Sequence, residues 1–220
     1  MAAFWNYLSS NFDTLAEHAW GHFYVVALGL TLSSIIGISL GMLSYRNPTA
    51  RAASLNTSAI ILTIPSLALF AIMLTLPPPI GGLGARPVIA GLALYGLLPI
   101  VRNTIVGLNE VDQAIVESAL GMGMGRRERL FRIEAPLAWP VIVTGIRVSG
   151  LLMVAIATIG SIVNGPGFGQ MLLSALARIG SATATPQALV GTLGVIVFGI
   201  CLDGLFRLLV HYTTPRGIRG

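Results

Sequence analysis

Five long apolar runs follow one another along the chain, separated by short stretches marked by proline, glycine or charge. A bilayer core of about 30 Å takes about 20 apolar residues per helix, so each run is long enough to cross a membrane. The first extends from His22 to Tyr45 and stops at the turn-forming Arg46-Asn47-Pro48. The second covers Ala52 to Leu76 and is closed by Pro77-Pro78-Pro79 and Gly81-Gly82, which no helix continues through. The third, about Pro87 to Val106, is interrupted by Pro99 and followed by a polar stretch; the fourth and fifth run from about Pro140 to Val163 and from about Gln187 to Val210. Ahead of them, residues 4–20 mix Phe4, Trp5, Tyr7, Phe12 and Trp20 with polar positions, the pattern of a helix lying in the membrane interface.

Composition agrees with this pattern and narrows it. Of 220 residues, 55% are hydrophobic and only 10% are charged, and the mean hydropathy is +0.84. A water-soluble domain needs a far more charged surface. The expected fold is therefore all-α and polytopic: about five transmembrane helices, an N-terminal interfacial helix and a cytoplasmic helical loop. It divides into an interfacial segment 1–21, a membrane domain 22–210 containing a loop at 110–137, and a tail 211–220.

All thirteen basic residues are Arg. Without Lys there is no Walker A loop, so the chain is not a P-loop ATPase by that route. In so apolar a chain the Arg excess orients the spans instead of marking nucleic-acid binding. Arg46, Arg51, Arg126, Arg127, Arg129, Arg132, Arg216 and Arg219 all fall on one side of a five-span arrangement, against Arg86 and Arg178 on the other. Positive loops stay inside, which puts the N-terminus outside and the C-terminus in the cytoplasm. The N-terminus carries no basic residue before Asp13 and Glu17 and so does not read as a cleaved signal. Cys201 stands alone and makes no intrachain disulfide.

The longest hydrophilic stretch, Glu110 to Leu137, is patterned. Ala114, Ile115, Ala119 and Met122 recur at helical spacing, Gly121 and Gly123 permit a sharp turn, and Leu130, Phe131 and Ile133 begin a second apolar face. A helix–turn–helix is expected. It resembles the coupling loop of ATP-binding-cassette importer permeases, in which Glu-Ala-Ala is followed by Gly four residues after the Glu and by a distal Leu-Pro. Here Glu117-Ser118-Ala119, Gly121 and Pro136-Leu137 stand at those places, Ser118 and the reversed Pro-Leu being departures. The resemblance implies that the loop docks on an ATPase, with Glu117, Ala119, Gly121, Met122, Gly123 and Arg126 as docking candidates. Thr63-Ile-Pro-Ser-Leu-Ala-Leu-Phe70, Ala157-Thr-Ile-Gly-Ser161 and Gly165-Pro-Gly-Phe-Gly169 are further similar to the glycine betaine, choline and carnitine importer permeases. Methionine importer permeases share the coupling loop and a similar glycine-rich segment.

Several residues are candidates for a solute path. Pro65 removes a backbone hydrogen bond in mid-span and Ser66 is placed to re-satisfy the freed carbonyl; broken helices in membranes need protein or water around them. The segment either faces the path or is a kinked packing helix, and Pro99 invites the same argument. Ser161 and Asn164, with Thr158 and Gly160, suit either close helix packing or a hydrated route. Gly165, Gly167 and Gly169 suit a re-entrant turn or gate, or an external loop. Asp203 is the one acid well inside an expected span, and Arg207 lies one helical turn on, so a structural ion pair is expected. No catalytic triad or metal-ligand pattern is visible; His18, His22 and His211 lie far from Ser66 and Ser161 in the chain.

Together with the family resemblance, this describes a permease subunit that moves an osmoprotectant such as glycine betaine, choline or carnitine, or alternatively methionine or another small solute. The resemblance implies two separate ATPase subunits that use ATP and Mg, no cofactor or metal in this chain, an extracytoplasmic substrate-binding protein, and a second copy or a related permease across the path. With 7% aromatic residues the spans show no obvious cage for a quaternary ammonium group, so selection is expected in the binding protein. The other class considered, a stand-alone secondary transporter or channel, predicts inverted repeats and midplane charges, neither of which is visible.

Overall fold

The computed structural model describes residues 2–213; Arg216, Arg219 and the rest of the expected tail beyond 213 lie outside the described residues. Eleven α-helices make up the described chain, beginning with α1 (Ala2–Ser10), α2 (Phe12–Ser44), α3 (Pro48–Thr63) and α4 (Ser66–Thr75). They continue with α5 (Ala85–Tyr95), α6 (Leu97–Asn109), α7 (Gln113–Gly121), α8 (Arg126–Arg129), α9 (Ala135–Ile159), α10 (Gly169–Ala177) and α11 (Ala184–Thr213). A π-helical turn, Leu130–Glu134, joins α8 to α9, and a 3₁₀ turn, Gly160–Val163, extends α9. Four continuous helical stretches are long and apolar enough to cross a membrane, and α3 with α4 forms a fifth, broken one bent by 96°.

The helix that contains the first expected span starts ten residues before it. Phe12 to Ser44 is one uninterrupted helix, so the interfacial element is confined to α1, which packs through Phe4, Tyr7 and Leu8 on the cluster of Phe168, Met171 and Val190. Polar residues such as Asp13 and Glu17 lower hydropathy without breaking a helix, whereas Asn11 ends α1 by bonding back to the Tyr7 carbonyl at 2.9 Å.

α2 is the central element. Along it Gly29, Ser33, Gly37 and Gly41 recur every four residues and are all buried, which places them on one stripe of the helix. A Cβ at Gly29 would meet Leu92 Cβ at 2.9 Å, at Gly37 Ile100 Cγ2 at 2.8 Å, and at Gly41 Thr104 Cβ at 2.6 Å. The absence of side chains along this stripe lets the backbone of α2 approach α5 and α6 closely enough for dispersion contacts to hold them, the usual route to helix association in lipid. A second seam of the same kind joins α6 to α9, where Gly107 lies against Ala138 and Gly145 against Asn103 and the Pro99 carbonyl. Pro99 sits in the first turn of α6, just after the break at Gly96, where its missing N–H costs little, and its carbonyl lies against Gly145 of α9. Between α5 and α6 the carbonyl of Gly96 is satisfied by the Ser149 hydroxyl at 2.8 Å.

The core follows these seams. Val25, Phe70, Val88, Leu92 and Met153 form a buried cluster towards one end, and Val101, Ile105, Ala138 and Ile142 another towards the loop at 110–137. By contrast α11 leaves Leu189, Leu193, Ile196, Val197 and Ile200 exposed, an apolar face suited to lipid or to a neighbouring membrane subunit.

Gly41→Ala brings a methyl group into Thr104 and is expected to lower stability by about 1–3 kcal/mol. Gly204→Ala, where nothing lies within 4 Å of the added carbon, is expected to leave it unchanged. Thermal unfolding of the two variants in detergent makes the comparison.

Candidate functional site

The loop between α6 and α9 is built from strong local signals. Asp112 caps α7 by accepting from the Ala114 amide at 2.8 Å, and Ser118 bonds back to the Ala114 carbonyl at 2.8 Å. The helix ends in a Schellman turn: Gly123 (φ 81°) donates to Leu120 at 2.9 Å and Met124 to Ala119 at 3.1 Å. Positive φ explains the glycine at 123. Glu117, Gly121, Gly123 and Met122 are exposed, Met122 to 69%, and Gln113 donates weakly to Glu117 at 3.4 Å. Ala119, expected to contact a partner, is fully buried within the chain. Its side chain therefore faces inward, and Met124 donates to its carbonyl in the turn that closes α7. Arg126 is exposed, but lines a groove against Ser39 and Leu43 of α2 with no hydrogen bond to Glu117.

The second half of the loop is not a separate helix. From Arg126 the chain runs through the π-helical turn straight into α9. A π turn places residue i+5 over residue i, and here it brings Glu134 under Arg129, whose Nε donates to Oε1 at 2.7 Å. Tyr45 donates to Glu134 Oε2 at 2.6 Å, and Arg46 pairs with Oε1. The Glu134 and Arg129 side chains are only 3% and 6% exposed. One buried carboxylate thereby locks the exit of the coupling loop to the end of α2. Burial, then the hydrogen bond to Glu134 and its charge, push the Tyr45 hydroxyl up to about 12, so it remains a proton donor at neutral pH. Sequence reading missed this cluster because its partners are up to 89 residues apart. The available signal was a Glu just before a span, following four arginines and one other Glu.

The break in the second span is at Pro65. Ile64 can no longer continue the α pattern and donates to Ile61 at 3.2 Å, which frees the Ile60 carbonyl for the Thr63 hydroxyl at 2.7 Å. The Ile64 carbonyl accepts from the hydroxyl of Tyr95, a buried residue of α5. Ser66 has no side-chain hydrogen bond among the described residues, so the role expected of it falls to Thr63 and Tyr95. Pro65 is exposed at the outside of this bend.

At the other end of α9, Ser161 is buried and donates to Thr158 at 2.9 Å, while Asn164 is exposed in the left-handed region at φ 59°. Gln170 gathers the turn, donating to Gly165 at 3.0 Å and weakly to Ser161 and Asn164. Gly165, Gly167 and Gly169 are all buried, so the segment is a packed corner and not an external loop. A Cβ at Gly165 would meet Val88 at 2.5 Å and one at Gly169 the Thr158 carbonyl at 2.0 Å. Gly167, at φ 128°, abuts His22, whose Nε2 donates to the Val154 carbonyl at 3.2 Å. α4 packs on the 3₁₀ turn, but no hydrogen bond joins Pro65 or Ser66 to Ser161 or Asn164 among the described residues.

Asp203 and Arg207 meet as expected, at 2.8 Å. The stronger partner is one the sequence reading passed over: Arg147 of α9 donates from Nε to Asp203 Oδ1 at 2.6 Å, tying α9 to α11. An Arg inside one span and an Asp inside another were the visible signal.

A family model described as "Binding-protein-dependent transport system inner membrane component" matches residues 33–213. The chain belongs to this family. It is similar to the osmoprotectant import permease protein OsmW of Salmonella typhimurium, with 35% identity across 97% of this chain and 98% of that protein. It is also similar to the glycine betaine/carnitine/choline transport system permease protein OpuCB of Bacillus subtilis, with 31% identity across 97% and 95%. Among solved structures, a chain of the inward-facing MetNI methionine transporter superposes with a TM-score of 0.82 at 18% identity, covering 94% of this chain and 99% of that one. That likeness establishes the fold of a binding-protein-dependent importer permease. As the inner membrane component of such a system, the chain is a multi-pass membrane permease and not an enzyme; the ATPase and the substrate-binding protein are other subunits.

Removing the Glu134 carboxylate strands Arg129 in the interior. Glu134→Ala is expected to cost about 3–5 kcal/mol, against less than about 1 kcal/mol for Glu128→Ala, whose pair with Arg132 is exposed; unfolding midpoints of the purified protein compare them. Tyr95→Phe leaves the Ile64 carbonyl unpaired at the bend and is expected to cost about 1–3 kcal/mol, read by the same assay, whereas Tyr212→Phe, on an exposed ring, is expected to cost nothing.

Proposed function

We propose that the chain is the translocating subunit of an ATP-driven importer for an osmoprotectant of the glycine betaine, choline and carnitine class. The observation that carries the substrate reading is the end-to-end similarity to two permeases named for such solutes, at 35% and 31% identity. The coupling role is supported by the geometry of α7: a capped, Schellman-ended helix that leaves Glu117 and Met122 exposed while Ala119 is buried. In this reading Glu117, Gly121, Met122 and Gly123 meet an ATPase, and the α8–α9 rod carries its motion into the membrane.

The assembly has two permeases, by default a symmetric pair, and two ATPases that bind ATP and Mg. A binding protein delivers solute to the outer face, the N-terminus lies outside and the loop inside. The bend at Pro65 lines the path, with Ser161, Asn164 and the corner at Gly165–Gly169 at its outer end. Specificity rests with the binding protein, since among the described residues none of the paired aromatic rings lies at the bend.

A second solute is favoured by one relative. The ergothioneine transport permease/ergothioneine binding protein EgtU of Helicobacter pylori is 34% identical over 185 residues, this chain spanning 32% of its length. Like the betaines, ergothioneine carries a trimethylammonium group and a carboxylate.

Uptake of labelled glycine betaine is measured in a host lacking its own betaine importers, supplied with this permease, its ATPase and its binding protein. Uptake is expected to require ATP and to fall at least about tenfold in Glu117→Arg, with membrane insertion unchanged. An assembled complex that hydrolyses ATP yet imports ergothioneine or methionine and not betaine would overturn the substrate reading; unimpaired uptake by Glu117→Arg would overturn the docking role.

A further inference from the structure

A groove of about 530 Å³ at the membrane rim is not accounted for by coupling or by a solute path. One wall is the end of α2, with Ser39 and Leu43; the other is the start of the α8–α9 rod, with Arg126, Arg127, Leu130 and Phe131. Its two halves differ in chemistry. Leu43 is 77% and Phe131 59% exposed, whereas Arg126 and Arg127 contribute two guanidinium groups.

Those two cations are unmatched. Glu128, beside them in sequence, pairs with Arg132, and Glu134 is shared by Arg46 and Arg129. Among the described residues neither Arg126 nor Arg127 has a carboxylate partner. Leu43 lies one residue from the end of a spanning helix, at the depth where acyl chains begin. Side chains lining the same groove beyond that end stand at the depth of the lipid phosphates. Guanidinium groups bind phosphate oxygens with two parallel N–H donors each.

We propose that this groove binds one anionic phospholipid, its phosphate bridging Arg126 and Arg127 and its acyl chain lying along Leu43 and Phe131. The bound lipid joins α2 to α8, the same two ends that Glu134 clamps through protein groups. A zwitterionic lipid places its own cation beside the arginines and is disfavoured.

The test uses the purified importer complex in detergent, with native mass spectrometry to count retained lipid after addition of phosphatidylglycerol or phosphatidylcholine. The wild-type complex is expected to keep one phosphatidylglycerol per permease copy and to prefer it to phosphatidylcholine. In the double variant R126Q/R127Q the preference should weaken by roughly thirtyfold, and R126K/R127K should retain most of it. Leu43→Asn keeps the charges and should lower retention while the preference for phosphatidylglycerol persists. Glycerol phosphate, the headgroup chemistry without the acyl chain, should not displace the lipid. Retention unchanged in R126Q/R127Q, or equal retention of the two lipids by the wild type, would overturn the proposal. So would loss of the ATPase from R126Q/R127Q with lipid retention intact, which would assign the arginines to that subunit.

Discussion

Close approach of backbones along α2 is the constraint on which the rest of the molecule depends. Inside a bilayer, apolar side chains gain little by leaving lipid for protein, so helices associate where their surfaces fit tightly. Gly29, Ser33, Gly37 and Gly41 provide such a surface, and α5 and α6 press Leu92, Ile100 and Thr104 into it. With α6 held there, Gly107 and Gly145 bring α9 alongside, and the ends of α2 and α9 are left near enough for one carboxylate to be shared between them. The order of dependence runs from small residues to seam, from seam to register, and from register to the charged cluster.

Polar groups then mark the places where the helical pattern gives way. At Gly96 and at Pro65 the chain departs from regular α geometry, and each departure is met by a hydroxyl from another helix, Ser149 on the Gly96 carbonyl and Tyr95 on the Ile64 carbonyl; at the π-helical turn Tyr45, following α2, holds the Glu134 side chain. Backbone groups in a membrane need such partners. The irregularities are consequently fixed in place by tertiary contacts, which keeps the bend at Pro65 and the coupling loop defined in direction.

How much of this was legible depends on the range of the interaction. The long apolar helices, the Pro65 break and α7 were readable because hydropathy, proline chemistry and the apolar spacing from Ala114 to Met122 act within a few residues. The early start of α2 was not, since the aromatic and acidic residues from Phe12 to Trp20 resemble an interfacial segment and only the absence of a breaker says otherwise. Ala119 matched the family pattern and was read as a docking residue, but periodicity alone does not say which face of α7 turns inward. The links from Arg147 to Asp203 and from Tyr45 to Glu134 cross 56 and 89 residues, and nothing local selects those partners. The glycines from Gly165 to Gly169 were legible as a turn, gate or loop, but not which neighbours, Val88, His22 and Thr158, occupy the space around them.

The continuous helix from Arg126 to Val163 spans 38 residues, about 57 Å at 1.5 Å per residue. Its two ends are the coupling loop and the glycine corner, and it is gripped near its middle by Gly145 and Ser149. Such a rod is a lever with a central fulcrum. A tilt of about 5° moves each tip by about 2.5 Å in opposite directions, given arms of about 28 Å. Displacement of one tip in one sense therefore swings the other tip in the opposite sense, so that the loop at 110–137 and the glycine corner move reciprocally.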